Sequence, residues 1–77
     1  MQDASFERSL VNVTQRFREH FASIGQPNRL RYSPEVFYCP TDGRYYQYSP
    51  ALCAADASLP RYQVIGLNFE AAVRNVW

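Results

Sequence analysis

Cys39, Cys53 and His20 are the soft, reactive side chains of this sequence, two thiols and its single imidazole. A thiolate beside an imidazolium is the arrangement of a cysteine nucleophile, because the neighbouring positive charge stabilises the ionised sulfur. Here no third group stands ready to orient the imidazole, and neither cysteine sits in a nucleophile signature. As zinc ligands the three residues fall one short of a tetrahedral set and lack a closely spaced pair to anchor it. A disulfide between Cys39 and Cys53 would close a loop over thirteen intervening residues, worth roughly 3 kcal/mol by chain entropy. The opening MQDASFERSL has no apolar run of signal-peptide length, so the expectation is a cytoplasmic protein with both thiols reduced.

The other routes to chemistry are as thin. Asp3, Glu7, Glu19, Glu35, Asp42, Asp56 and Glu70 are scattered, and paired-carboxylate hydrolysis needs two of them at a set separation in a cleft. Glu7 and Glu70 suit the first turns of helices, and Asp42 suits a turn. All eight basic residues are Arg, which removes Schiff-base chemistry and the phosphate-binding lysine of a P-loop. The three glycines are too far apart to form a phosphate-cradling loop. The sequence therefore predicts no enzyme, no cofactor and no metal.

Tyrosine and arginine are in excess between positions 29 and 62, where Arg29, Arg31, Tyr32, Tyr38, Arg44, Tyr45, Tyr46, Tyr48, Arg61 and Tyr62 lie. Both residue types are enriched in interface hot spots, since each combines a large contact area with a polar end that tolerates partial desolvation. Arg31, Tyr32, Arg44, Tyr45, Tyr46, Tyr48 and Tyr62 are the candidate partner-binding residues. Tyr45 and Tyr46 are adjacent, so on a strand they point to opposite faces and at least one is a candidate for the exposed side. The competing use of the same rings is core filling, because alternation turns about half of a strand's side chains inward.

With 77 residues, 47% hydrophobic and 16% aromatic, the chain is too apolar for a disordered tail and sized for one small domain over 1–77. A net charge of +1 gives little field to draw it onto nucleic acid or anionic lipid. No stretch approaches the roughly 20 apolar residues of a membrane span. The expected function is a small protein-binding module, of the accessory or inhibitor kind found in bacteria and phages, occupying a surface of a larger protein. The alternative is a single-stranded nucleic-acid binder using Tyr stacking and Arg–phosphate contacts.

The elements that must position these residues are legible in the periodicity. Phe6, Leu10, Val13, Phe17, Phe21 and Ile24 recur at spacings of four, three, four, four and three, which predicts an amphipathic helix over Ala4–Ile24 with a stripe narrower than about 100°. Arg8, Asn12, Gln15, Arg16, Arg18 and Glu19 cover its other side, and only Val11 breaks the pattern. The same spacing would serve as a seam for a second copy of the chain, a homodimer through this helix. Val36–Cys39 and Arg44–Tyr48 flank Pro40-Thr41-Asp42-Gly43 and read as a hairpin. Leu30–Tyr32 could add an edge strand.

Ser49-Pro50 starts a short helix running to about Ala57. Arg61–Leu67 reads as a strand buried on both faces or nearly so. Asn68 then caps a C-terminal helix carrying Phe69, Ala72, Val73, Val76 and Trp77. The predicted fold class is α+β: an N-terminal amphipathic helix on a small antiparallel sheet of about three strands, with a short connecting helix and a C-terminal helix.

Overall fold

The hairpin is the centre of the molecule. In the computed structural model, which describes residues 4–26, 35–56 and 58–76, β2 (Val36–Cys39) and β3 (Arg44–Tyr48) pair antiparallel across the 40–43 turn. Gly43 adopts φ +70 in that turn, a left-handed conformation that glycine enters without steric cost. Its N–H closes the turn on the Cys39 carbonyl at 2.8 Å.

The predicted N-terminal helix is two helices separated by a strand: α1 (Ala4–Ser9), β1 (Val11–Asn12) and α2 (Thr14–Ser23). Val11, Asn12 and Val13 are weak helix formers, and β2 offers them a better use. Val11 and Asn12 pair with Tyr38 and Phe37. The Val13 N–H then donates to the Val36 carbonyl at 2.9 Å, and the buried Thr14 hydroxyl accepts from the Val36 N–H at 2.6 Å. A continuous helix would leave this edge of β2 unpaired. Asn12 also accepts the Thr14 N–H through its side chain at 2.9 Å, satisfying one of the open amides at the start of α2.

The chain continues through α3 (Pro50–Ala55) into β4 (Tyr62–Gly66) and α4 (Phe69–Asn75). The sheet is antiparallel and four-stranded in the order β1-β2-β3-β4, one strand more than the sequence suggests, and the extra strand is the broken helix. The fold class is α+β, as predicted. Asn68 caps α4 as expected, its side chain accepting the Ala71 N–H at 2.8 Å. The expectation that Arg61–Leu67 is buried on both faces is corrected, because β4 is an edge strand and Val64 is 46% exposed. The suggested strand over Leu30–Tyr32 lies outside the described residues.

Strand alternation sends the hairpin's aromatics to two faces. On one, Phe17 and Phe21 of α2, Val36, Tyr45, Ile65, and Ala72 and Val76 beside them form the core, with Val13, Tyr38, Phe69 and Val73 packed around it. Ile65 is the extra residue between the pairs Tyr46↔Val64 and Tyr45↔Gly66, a bulge that leaves Gly66 against α4. A Cβ on Gly66 would stand 2.5 Å from the Ala72 nitrogen, so this close approach requires glycine. On the other face α1 lies over Tyr46, with the Phe6 ring edge-on to it at 5.3 Å.

The apolar stripe is thus divided between two sides of the sheet. Phe17 and Phe21 are spent inside the chain at 0% and 3% exposure, and Ile24 is 50% exposed beyond the end of α2. No continuous seam of the kind a helical homodimer needs remains. Arg16, expected on the solvent side, sets its guanidinium 4.5 Å above the Phe69 ring.

Candidate functional site

β3 offers Arg44, Tyr46 and Tyr48 to the α1 face of the sheet, and the register adds neighbours from both adjoining strands. Tyr46 stands opposite Phe37, and Tyr48 opposite Tyr62. Glu35, one residue before β2, continues the same face by alternation. α1 covers Tyr46 and meets the next ring through Phe6, whose ring centroid lies 6.4 Å from that of Tyr62. Beside it Glu35, Phe37, Tyr48 and Tyr62 line an open groove of about 300 Å³.

The three rings of the groove are half-buried and hold one another edge to face. Phe37 and Tyr62 lie 5.2 Å apart at 83°, and Tyr48 and Tyr62 lie 5.6 Å apart at 70°. Such T-shaped contacts match the positive edge of one ring to the negative face of the next. Their backbones are tied by hydrogen bonds from the Tyr48 N–H to the Glu35 carbonyl at 3.4 Å and from the Ser49 N–H to the Arg61 carbonyl at 2.8 Å. An ion pair between Arg61 and Glu7 anchors β4 to α1 beside the groove.

Of the seven residues expected to bind a partner, Tyr48 and Tyr62 come together here. Arg44 is exposed at the start of β3, where its N–H donates to the Asp42 carboxylate at 3.0 Å. Tyr45 and Tyr46 are taken off the candidate surface: they are 7% and 6% exposed. They do point to opposite faces, but both faces carry helices, so Tyr46 lies beneath α1 and Tyr45 keeps an edge on an open cavity of about 410 Å³ beside Arg16 and Phe69. Arg31 and Tyr32 lie outside the described residues. Sequence reasoning missed Phe37 and Glu35. The signal was cross-strand pairing, which places Phe37 beside Tyr46 once the turn sets the register.

A second cavity of about 280 Å³ lies between α1 and the hairpin turn, lined by Ser5, Phe6, Ser9, Cys39, Thr41 and Asp42. The Cys39 sulfur is buried 3.3 Å from the Ser9 hydroxyl. Tyr46 donates its phenol to Asp42 at 2.5 Å. Burial works against the ionised Asp42, but hydrogen bonds from the Tyr46 hydroxyl, the Arg44 N–H and the Cys39 thiol outweigh it and hold the carboxyl below its ordinary value. For Tyr46 burial acts first and the Asp42 acceptor second, and together they push the phenol up to about 12.

His20 belongs to the other side of the molecule, edge-on to Phe69 at 5.4 Å. Cys39 alternates with Tyr38 and so faces α1, which leaves the sheet between this thiol and the imidazole. The side chain of Cys53 lies outside the described residues. Among the described residues no three His, Cys, Asp or Glu side chains converge as a metal site, and no helix is long and apolar enough to cross a membrane.

Comparison with known proteins finds no matching family model, no matching characterised protein and no matching solved structure. Function therefore rests on the geometry of the chain itself.

Proposed function

We propose that this chain is a small non-enzymatic protein-binding module whose docking face is the aromatic groove of Phe37, Tyr48 and Tyr62 with Glu35 at its edge. The observation that supports this reading is the groove itself: three large rings on one sheet face, half-open to solvent, which α1 meets through Phe6 at the Tyr62 edge. Rings held by neighbours lose little entropy on binding and supply the contact area from which hot spots are built. The half-exposed Val64 extends the patch along β4, and Arg44 stands on the same face at the far end of β3, beyond the covered Tyr46. The nucleic-acid alternative is weaker, because two of the tyrosines it would stack on bases, Tyr45 and Tyr46, are inside the fold.

The module acts by occupying a surface of a larger protein, as an accessory protein or inhibitor does. The arginine-only basic set fits a GC-rich bacterial or phage gene, which makes a bacterial lysate the place to look. Immobilised wild type, Tyr48→Ala, Arg44→Ala and the exposed control Arg18→Ala are compared for retained proteins. The expected result is one protein held by wild type and Arg18→Ala, reduced by Arg44→Ala and lost with Tyr48→Ala. Identical retention by all four would overturn the docking face, and a turnover activity with no retained protein would overturn the module.

A further inference from the structure

Electrostatics narrows what the groove can hold. The face of an aromatic ring carries the negative lobe of its quadrupole, and a cation near such a face is attracted, more strongly as water leaves. Phe37, Tyr48 and Tyr62 bring three rings to one cavity at steep mutual angles, 83° and 70° for the two contacting pairs. Rings inclined so steeply to one another can meet a cation seated among them from more than one direction. The remaining lining residue is Glu35, a carboxylate, and among the described residues no basic side chain lines the cavity. Its volume of about 300 Å³ is at the small end of the roughly 300–1,000 Å³ range of ligand pockets, which suits one side chain better than a whole metabolite.

We infer that the groove is an aromatic cage for an alkylammonium side chain, a lysine or methylated lysine presented by the protein partner, with Glu35 supplying the countercharge. The inference rests on the docking reading above and adds the chemistry of the docked group. The backbone hydrogen bonds that join Glu35 to Tyr48 and Ser49 to Arg61 hold the walls in place before the ligand arrives. Pre-formed walls are what let a weakly attractive contact act as a recognition element. A neutral side chain of the same shape would gain the apolar contact and forgo the charge.

The test uses the full chain, labelled with nitrogen-15, and three probes: acetylated trimethyllysine amide, its neutral tert-butyl isostere, and choline. The trimethylammonium lysine is expected to shift the amides of Glu35, Phe37, Tyr48 and Tyr62. It should bind roughly fivefold or more tightly than the isostere, the size of a partly desolvated cation–π contact. Tyr48→Leu, which keeps apolar bulk and loses the ring, should abolish that preference, and Glu35→Gln should reduce it most at low salt. Equal binding of the isostere, or no shift at the groove in a folded chain, would overturn the cage. Choline binding far more tightly than the lysine probe would overturn the partner-borne occupant. Loss of the cage alone leaves the lysate comparison with Tyr48→Ala standing, so the two readings fail separately.

Discussion

The two faces of the sheet are made from the same strands and end up in different states. Behind Tyr45 the core is tight, with Phe17, Val36, Ala72 and Val76 all 0% exposed, and at its rim Tyr38, Tyr45 and Phe69 line an open cavity of about 410 Å³ beside Arg16. Over Phe37, Tyr48 and Tyr62 the surface stays open, and three polar pairs, Tyr46–Asp42, Ser9–Cys39 and Arg61–Glu7, lie on this side. Helix length accounts for the difference. α1 has six residues, a rod of about 9 Å at 1.5 Å per residue. β3 and β4 have five each, about 17 Å at 3.3 Å per residue. α1 therefore shields Tyr46, touches Tyr62 through Phe6 and leaves the Tyr48 side of the groove open, whereas residues of both α2 and α4 pack on the opposite face. One face gives its largest side chains to the core, and the other keeps half-exposed aromatic rings for something else.

The largest expected effect belongs to the core face. Phe17→Ala should destabilise the fold by about 3–5 kcal/mol, the cost of removing a fully buried ring and leaving a cavity, and urea unfolding would show much of the chain unfolded in buffer. A value under about 1 kcal/mol would mean that α2 is not integral to the core. Gly66→Ala comes next. Its new methyl meets the α4 backbone rather than a flexible side chain, so β4 and α4 must separate, at roughly the 1–3 kcal/mol of an overpacked core. Amide exchange should quicken in α4 before it does in the hairpin.

A smaller effect separates the faces by pH. Burial and the Asp42 acceptor push the Tyr46 phenol up to about 12 from its ordinary value of 10.0, so folding favours the protonated form. Its contribution is complete below pH 10, declines as pH rises from 10 to 12 and is gone above that. Tyr46→Phe should lose this part of the alkaline decline while the rest of the profile persists. At the acid end Asp42 has the opposite sign: its contribution is present above pH 3.8 and is lost as pH falls through the lowered folded value. An unchanged alkaline limb in Tyr46→Phe would contradict the Tyr46–Asp42 pairing.

Much of this architecture is legible in the sequence, and the exceptions have a common cause. The hairpin, the Asn68-capped helix and the core positions Phe17 and Phe21 follow from local signals that agree with the tertiary structure. The first helix misleads because six apolar residues at helical spacing outweigh Val11, and only the unpaired edge of β2 explains why the chain abandons helix there. Tyr45 and Tyr46 were candidates by type, and strand alternation correctly separates them. No local signal tells that both faces acquire helices. Tyr48 and Tyr62 were visible as residues, and their grouping with Phe37 and Glu35 depends on register and on the short reach of α1.

The division of labour between the faces is tested most directly by urea unfolding of Tyr48→Ala beside Phe17→Ala. Tyr48 is half-buried and shares one ring contact with Tyr62 at 5.6 Å, so truncation should cost about 1–1.5 kcal/mol, well below the cost at Phe17. A Tyr48→Ala chain that unfolds as readily as Phe17→Ala would contradict the account, because the groove rings would then be part of what holds the fold together.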